Sequence, residues 1–213
     1  MGTIRLGELS ENDEYVREFI LFLKSMTDGL DTFVETGTYN GNTAKWASEH
    51  FKEVITIEAS DGNFELAKKN LDGLDNVEPI LADSTKLFSQ NNFIERLSDK
   101  KVVFWLDAHW SNEADHYGKN EPCPLITELS LLQNRTGESY FIIDDLRMFN
   151  FPYYTPLGST QEHPSIRNIV LSMPDKDVVL YADAIFSLPL ADSKYILSEW
   201  RKKYKKTKYD ILI

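Results

Sequence analysis

Short runs of β-branched and aromatic residues alternate along the chain with longer stretches in which apolar residues recur every three or four positions. The short runs predict buried strands, and the longer stretches predict amphipathic helices. The predicted strands cover residues 32–35, 53–58, 77–82, 101–107, 139–144, 178–182 and 185–188. The predicted helices cover residues 12–28, 42–50, 62–71, 84–97, 122–135 and 191–205.

Strands that alternate with helices in this way form a parallel sheet covered by helices on both faces. The pattern therefore predicts an α/β chain with a Rossmann-like, doubly wound sheet of seven mostly parallel strands. The paired runs 178–182 and 185–188 predict one antiparallel strand near the C-terminus. Residues 1–213 are expected to form a single domain, with substrate-side loops at about 108–121 and 146–166. A last short strand is expected at 209–213.

Composition narrows the possible partners. The formal net charge is −11, and the only basic run, residues 201–206, is expected to be the solvated end of a helix. Nucleic acid is therefore disfavoured, and a small-molecule or neutral glycan acceptor is favoured. No apolar run approaches the roughly 18 residues needed to span a bilayer. A lone cysteine, Cys123, and an N-terminus without signal-peptide character favour a cytoplasmic protein, and a homo-oligomer stays open.

Acidic residues lie at the ends of five predicted strands. They are Glu35, Glu58, Asp83, Asp107 and Asp144. Ligands of open α/β sheets bind beyond the carboxyl ends of the strands. Burying so many carboxylates at one edge has no packing benefit, so the set predicts a functional site.

Residues 33–43, with the sequence FVETGTYNGNT, predict a strand, a glycine turn and the start of a helix. Gly37 permits a sharp turn and a close approach to the backbone. Dinucleotide-binding turns carry G-x-G-x-x-G, whereas this turn has G-x-x-x-G with Glu35 two positions before it. A carboxylate here suits a positively charged ligand and suits a pyrophosphate badly. The alternative is a plain tight turn.

Two further strand ends extend this pattern. Glu58 lies 21 residues after Gly37, where a carboxylate can accept both hydroxyl protons of a ribose. The three segments E-T-G-T-Y-x-G-x-T, I-E-A-S and A-D-S together resemble the cofactor motifs of class I S-adenosylmethionine (SAM)-dependent methyltransferases, over roughly residues 30–145. The resemblance implies Glu35, Gly37, Thr38 and Gly41 at the methionine portion, Glu58, Ala59 and Ser60 at the adenosine, and Asp83 and Ser84 near the adenine. A doubly wound protein that binds another nucleotide is the alternative.

The fourth and fifth strands end in Asp107-Ala108-His109 and Asp144-Asp145. Carboxylates this close repel one another unless a cation joins them, and oxygen ligands suit Mg²⁺ or Mn²⁺. We therefore predict that Asp107, Asp144 and Asp145 bind metal and that His109 is the general base. The arrangement is similar to that of metal-dependent sugar O-methyltransferases of antibiotic and polysaccharide pathways. In the alternative, Asp107 contacts the SAM ammonium, His109 is a surface residue and Asp144 caps a turn.

The sequence thus predicts an O-methyltransferase that uses SAM, with Mg²⁺ and a histidine base, to methylate a hydroxyl of a sugar or glycan. Asp107 and His109 are the candidate catalytic residues, and Trp110, His116 and Tyr117 are candidate substrate contacts in the loop that follows. Two alternatives stay open. One is a non-catalytic module that binds SAM or a glycan, and the other is a methyltransferase for a phenolic small molecule.

Overall fold

The computed structural model describes residues 12–108, 123–149, 153–154, 160–161 and 163–203. Within these residues the main sheet has seven strands in the order β3-β2-β1-β4-β5-β9-β8. Its strands are β1 (Thr32–Thr36), β2 (Glu53–Glu58), β3 (Val77–Leu81), β4 (Val102–Leu106), β5 (Ser139–Ile143), β8 (Lys176–Tyr181) and β9 (Ala184–Pro189). The strands β6 (Tyr153–Tyr154) and β7 (Thr160–Gln161) form a separate antiparallel pair.

Strands β1 to β5 are parallel to one another, whereas β9 is antiparallel to both β5 and β8. Six strands of the sheet therefore run in one direction and β9 runs in the other. This arrangement confirms the predicted Rossmann-like sheet with one antiparallel strand near the C-terminus. The predicted strand at 209–213 lies outside the described residues.

Helices flank the sheet, and most of them lie where the apolar periodicity predicts. They are α1 (Asn12–Met26), α2 (Asn42–Ser48), α3 (Asp61–Asn70), α4 (Ser84–Phe88), α5 (Asn91–Leu97), α6 (Leu125–Leu132), α7 (Ile166–Leu171) and α8 (Leu190–Lys203), with a 3₁₀ turn at Leu146–Phe149. None of these helices is long and apolar enough to cross a membrane.

Three helices differ from the prediction. The single helix predicted at 84–97 is two helices, because Gln90 has an extended backbone (φ −85°, ψ 120°) and caps α5. Helix α6 is shorter than predicted and begins after Pro124. Helix α7 was missed because it buries a single apolar side chain fully, that of Ile169, which leaves too little periodicity to read.

Each face of the sheet carries its own hydrophobic core. Alternate residues of β4 show this directly: Val103 and Trp105 pack with α1, α2 and α8, whereas Phe104 packs on the other face with α5 and α6. Side chains of a strand point alternately to opposite faces, so a strand covered on both sides is apolar at every position. This explains why β4 and β5 consist almost entirely of apolar residues and are followed directly by a carboxylate, Asp107 or Asp144.

Candidate active site

The five predicted acidic residues lie along one edge of the sheet. Strands β3, β2, β1, β4 and β5 are consecutive and parallel, so their carboxyl ends share that edge. Glu35 is the penultimate residue of β1, and Glu58 ends β2. The remaining residues, Asp83, Asp107 and Asp144, follow β3, β4 and β5 within two positions. The edge therefore presents carboxylates from five neighbouring strands.

The glycine turn between β1 and α2 packs against the end of β4. Gly37 has φ +84°, and a Cβ atom at this position would lie 2.3 Å from the backbone oxygen of Asp107. Gly41 precedes α2 with φ +83°, and a Cβ there would lie 3.1 Å from the Leu71 side chain. Both positions favour glycine for conformation and for space. The close approach that Gly37 permits is thus to the Asp107 backbone.

Glu58 holds two loops together. Its Oε2 accepts a hydrogen bond from the Tyr39 backbone N–H at 2.8 Å, and its Oε1 accepts one from the Ser60 N–H at 2.8 Å. The side chain is almost buried, with 7 % of its surface exposed. Each carboxylate oxygen has a second lone pair. The carboxylate is therefore fixed in place and can still accept two hydroxyl groups, such as those of a ribose.

A chain of hydroxyl groups links the glycine turn to Glu35. Thr56, fully buried in β2, donates from its Oγ1 to Glu35 Oε2 at 2.5 Å, and Thr38 Oγ1 lies 2.6 Å from Thr56 Oγ1. Thr56 was not predicted as a site residue. The sequence signal that could have identified Thr56 is a hydroxyl residue inside an otherwise apolar strand. Its position opposite Glu35 depends on the pairing register of β1 and β2, which the structure shows.

Glu35 holds its proton at neutral pH in the absence of ligand. Burial raises the pKa of this carboxyl from 4.5 to about 8, with a further rise from the nearby charge of Glu58. The Thr56 hydroxyl and the positive charge of Arg17 act in the opposite direction. Since burial outweighs both, full ionisation of Glu35 at neutral pH needs a further cation against it, such as a bound ligand.

Two predicted adenosine contacts begin helices. Asp83 Oδ1 accepts from the Thr85 N–H at 3.0 Å and from the Thr85 hydroxyl at 2.6 Å, and Ser60 Oγ accepts from the Asn63 N–H at 3.5 Å. Burial raises the pKa of Asp83, but these hydrogen bonds outweigh it and leave the pKa below its usual value. Both residues therefore have a structural role as N-caps. Ser84 is buried at the start of α4, and Ala59 is exposed in the loop after β2.

The acidic residues after β5 have partners within the protein. Asp144 Oδ1 accepts from the Asp145 N–H at 2.8 Å, and Asp145 pairs with Arg147 at 2.5 Å. Arg147 also pairs with Asp183 in the turn between β8 and β9. The guanidinium thus balances Asp145 and Asp183 together. Sequence reasoning missed Asp183, because its approach depends on how the C-terminal hairpin packs against the sheet.

The predicted metal trio is not assembled in the part of the chain that the structure describes. Asp107, Asp144 and Asp145 all belong to that part, yet no group of three potential metal-ligating side chains forms there. Their orientation explains this, because Asp145 turns toward Arg147. The other predicted catalytic and substrate residues lie outside the described residues. They are His109, Trp110, His116 and Tyr117.

No protein-family model matches the sequence, and no curated protein matches it. Solved structures do match. An O-methyltransferase from Bacillus cereus in complex with SAH (S-adenosylhomocysteine) has a TM-score of 0.54 at 13 % identity, over 87 % of this chain and 92 % of that chain. The fold is that of SAM-dependent methyltransferases.

Two further structures have the same fold. A putative caffeoyl-CoA O-methyltransferase from Staphylococcus aureus gives a TM-score of 0.52 at 14 % identity, over 88 % of this chain and 85 % of that chain. A SAM-dependent methyltransferase from Aquifex aeolicus gives 0.50 at 15 % identity, over 87 % of this chain and 94 % of that chain. The methyltransferase fold thus spans most of the chain, and the turn after β1 lies at its switch between sheet halves.

Proposed function

We propose that this chain is a SAM-dependent methyltransferase that methylates a hydroxyl group of a small-molecule or glycan acceptor. The observation that carries the proposal is the Glu58 carboxylate, fixed between the glycine turn and the loop after β2 with lone pairs for two hydroxyls. Glu58 would hold the ribose, and Glu35 the methionine ammonium, with Gly37 and Thr38 in the turn beside it. SAM would supply the methyl group, activated on its sulfonium.

Charge favours SAM over a dinucleotide. A pyrophosphate at the turn after β1 would be repelled by the Glu58 carboxylate, and it would keep Glu35 protonated instead of ionising it. The methionine end of SAM carries an ammonium and a sulfonium, which these carboxylates would attract. Calorimetry with SAM and SAH should therefore show saturable binding, with NAD as the comparison ligand. Tighter binding of NAD than of SAM would overturn the assignment.

Binding of SAH is expected to release a proton through Glu35. The free protein holds this proton near pH 7, because the Glu35 pKa is about 8, whereas the ligand ammonium would stabilise the carboxylate. Free protein then binds more protons than the complex, so affinity rises with pH, by up to about tenfold per unit between about pH 6 and 8. Calorimetry at pH 7 in two buffers of different ionisation enthalpy measures the proton directly.

Glu35→Gln is the matched variant, since an amide keeps the shape and an acceptor for Thr56 but cannot ionise. It should bind SAH more weakly and show a flatter pH dependence than the wild-type chain. Proton release equal in the two proteins would show that another group titrates.

The acceptor hydroxyl must lose a proton as the carbon–oxygen bond forms. Asp107 follows β4 with its backbone beside the glycine turn, and His109 comes two residues later in the sequence. We propose His109 as the base and Asp107 as its acidic neighbour. A sugar hydroxyl is the proposed nucleophile, on the resemblance of the D-x-H and D-D segments. Mass spectrometry after incubation with SAM would identify the product from glycan and phenol pools. Absence of any methylated product would favour a binding module.

Metal dependence and the base are tested together. The three carboxylates do not fit one metal ion in the described arrangement, so we derive no step through Mg²⁺. If the sequence prediction holds, EDTA should reduce turnover and Mg²⁺ should restore it. His109→Ala should lower kcat by about 100-fold or more, since general-base catalysis contributes about 10² to 10⁴.

His50→Ala is the control for the histidine variant, because His50 lies beside Trp46 on α2 and has no proposed role. Full turnover in EDTA would remove the metal from the mechanism. Full turnover of His109→Ala between pH 6 and 9 would move the base elsewhere, with His116 the next candidate.

A further inference from the structure

Arg17, in α1, carries a charge with no counter-ion bonded to it. Its buried Nε atom has no hydrogen-bond partner, and Arg17 makes no ion pair, within the part of the chain that the structure describes. The guanidinium lies over the Trp46 ring, 5.4 Å from the ring centroid. A planar cation on an aromatic face is held in orientation and keeps its in-plane N–H groups for other partners.

Glu35 lies close enough to Arg17 for the two charges to influence each other, yet they form no ion pair among the described residues. Instead, the Glu35 carboxyl accepts from the neutral Thr56 hydroxyl. Burying the Arg17 Nε without a partner is unfavourable, and the Glu35 carboxyl near it keeps its proton rather than forming an ion pair with it. An arrangement of this kind fits a ligand that carries both charges and places itself between the two groups.

We propose that Arg17 and Glu35 together recognise the zwitterionic amino-acid group of the cofactor, with Arg17 binding its carboxylate and Glu35 its ammonium. The inference rests on the proposed function and adds to it a residue of α1. Arginine suits this role because its guanidinium can donate two parallel hydrogen bonds to a carboxylate. Among the described residues, Arg17 is a cation whose charge acts on Glu35, so it would offset the repulsion between the ligand carboxylate and Glu58.

The position of α1 supports the assignment. At its last turn, Lys24 donates to Asp31 at 2.7 Å and to the Leu30 carbonyl at 2.8 Å, just before β1 begins. Seven residues of helix span about 10 Å, so Arg17 lies that far along the axis from Lys24. Its contact with Trp46 places it beside α2, whose first residues follow the glycine turn.

Three ligands allow the contributions of the carboxylate and the ammonium to be measured separately. They are SAH, the SAH analogue without its carboxylate, and 5′-methylthioadenosine, which has no amino-acid group. Arg17→Gln is expected to weaken SAH binding by about 10- to 100-fold, because it removes the hydrogen bonds of a charged donor to the ligand carboxylate. Affinities for the other two ligands should stay within about threefold of the wild-type values. Arg17→Lys should recover part of the loss, since it restores charge without the planar pair of donors.

Lys24→Gln is the control, because Lys24 is another cation of α1 over an aromatic ring, 5.1 Å from the Phe51 centroid. It should lower the melting temperature without changing the ratio of the three affinities. An equal loss for all three ligands in Arg17→Gln would make Arg17 a structural residue and overturn the inference alone. Failure of the wild-type chain to bind any of the three would overturn the proposed function as well.

Discussion

Glu58→Ala is expected to weaken SAH binding by at least about 100-fold, since it removes a charged acceptor for two ribose hydroxyls, each bond worth about 1.5–3 kcal/mol. The substitution also frees the Tyr39 and Ser60 N–H groups that the carboxylate holds. The glycine turn and the loop after β2 would then lose their common anchor. Calorimetry on purified protein, with folding checked by circular dichroism, measures the effect.

Glu53→Ala is a matched control on the same strand. Glu53 begins β2, at the opposite edge of the sheet, and pairs with Arg96 and Lys100 at the surface. Its loss should leave SAH affinity unchanged, because its ion pairs are far from the strand ends. If Glu58→Ala bound SAH within about threefold of the wild-type chain, the ribose assignment would be wrong.

The central strands β1, β2, β4 and β5 could be predicted because they are buried on both faces and carry a carboxylate at or directly beside their last residue. Glu58 illustrates this: an apolar run from 54 to 57 stops at a carboxylate, and the structure ends β2 at the same residue. Helix α7 could not be predicted in the same way, because it depends on one buried residue, Ile169, and a Ser165 cap. The hydrogen bond from the Asn168 N–H to the Ser165 cap is local, but the packing of Ile169 depends on residues far away in the sequence.

The ion-pair partners of the acidic residues were harder to predict than the positions of those residues at the strand ends. Asp144 and Asp145 are adjacent in the sequence, and the repulsion expected between their carboxylates led to the prediction of a metal ion. The structure brings Arg147 against Asp145 and Asp183, with the hairpin turn of β8 and β9 supplying the second carboxylate. Such a pairing joins residues 36 positions apart. Nothing in the local pattern around residue 145 indicates it.

Arg17 and Thr56 show the same limit on the cofactor side. Arg17 lies on an amphipathic helix that carries several other charged residues, so its sequence context gives no sign of a site. Thr56 becomes informative only when the register places it opposite Glu35. Sequence reasoning found the carboxylates because they end strands, and it missed the groups that act on those carboxylates from neighbouring elements.

At the opposite edge of the sheet, Arg135 connects several turns through its guanidinium. The side chain is 7 % exposed and lies over the Phe104 ring. Its Nη1 and Nη2 donate five hydrogen bonds, to the backbone carbonyls of Leu97, Lys100, Thr136 and Glu138 and to the Ser139 hydroxyl. Burial lowers the pKa of Arg135 to about 10, so the group stays charged at neutral pH.

Arg135→Ala is therefore expected to lower the free energy of unfolding by about 3–5 kcal/mol, since it leaves the buried Leu97 carbonyl and three partly buried carbonyls without this donor. For a chain of this length, that loss corresponds to a fall in melting temperature of roughly 10 °C.

Arg135→Lys should recover a minor part of the lost stability, because one ammonium cannot reach five acceptors. Guanidinium denaturation measures the change, with Arg201→Ala on the exposed side of α8 as the neutral control. SAH affinity measured well below the melting point should be unchanged, because Arg135 lies near the amino ends of β4 and β5, away from Glu58. A loss of less than about 1 kcal/mol would mean that water replaces the guanidinium at these carbonyls.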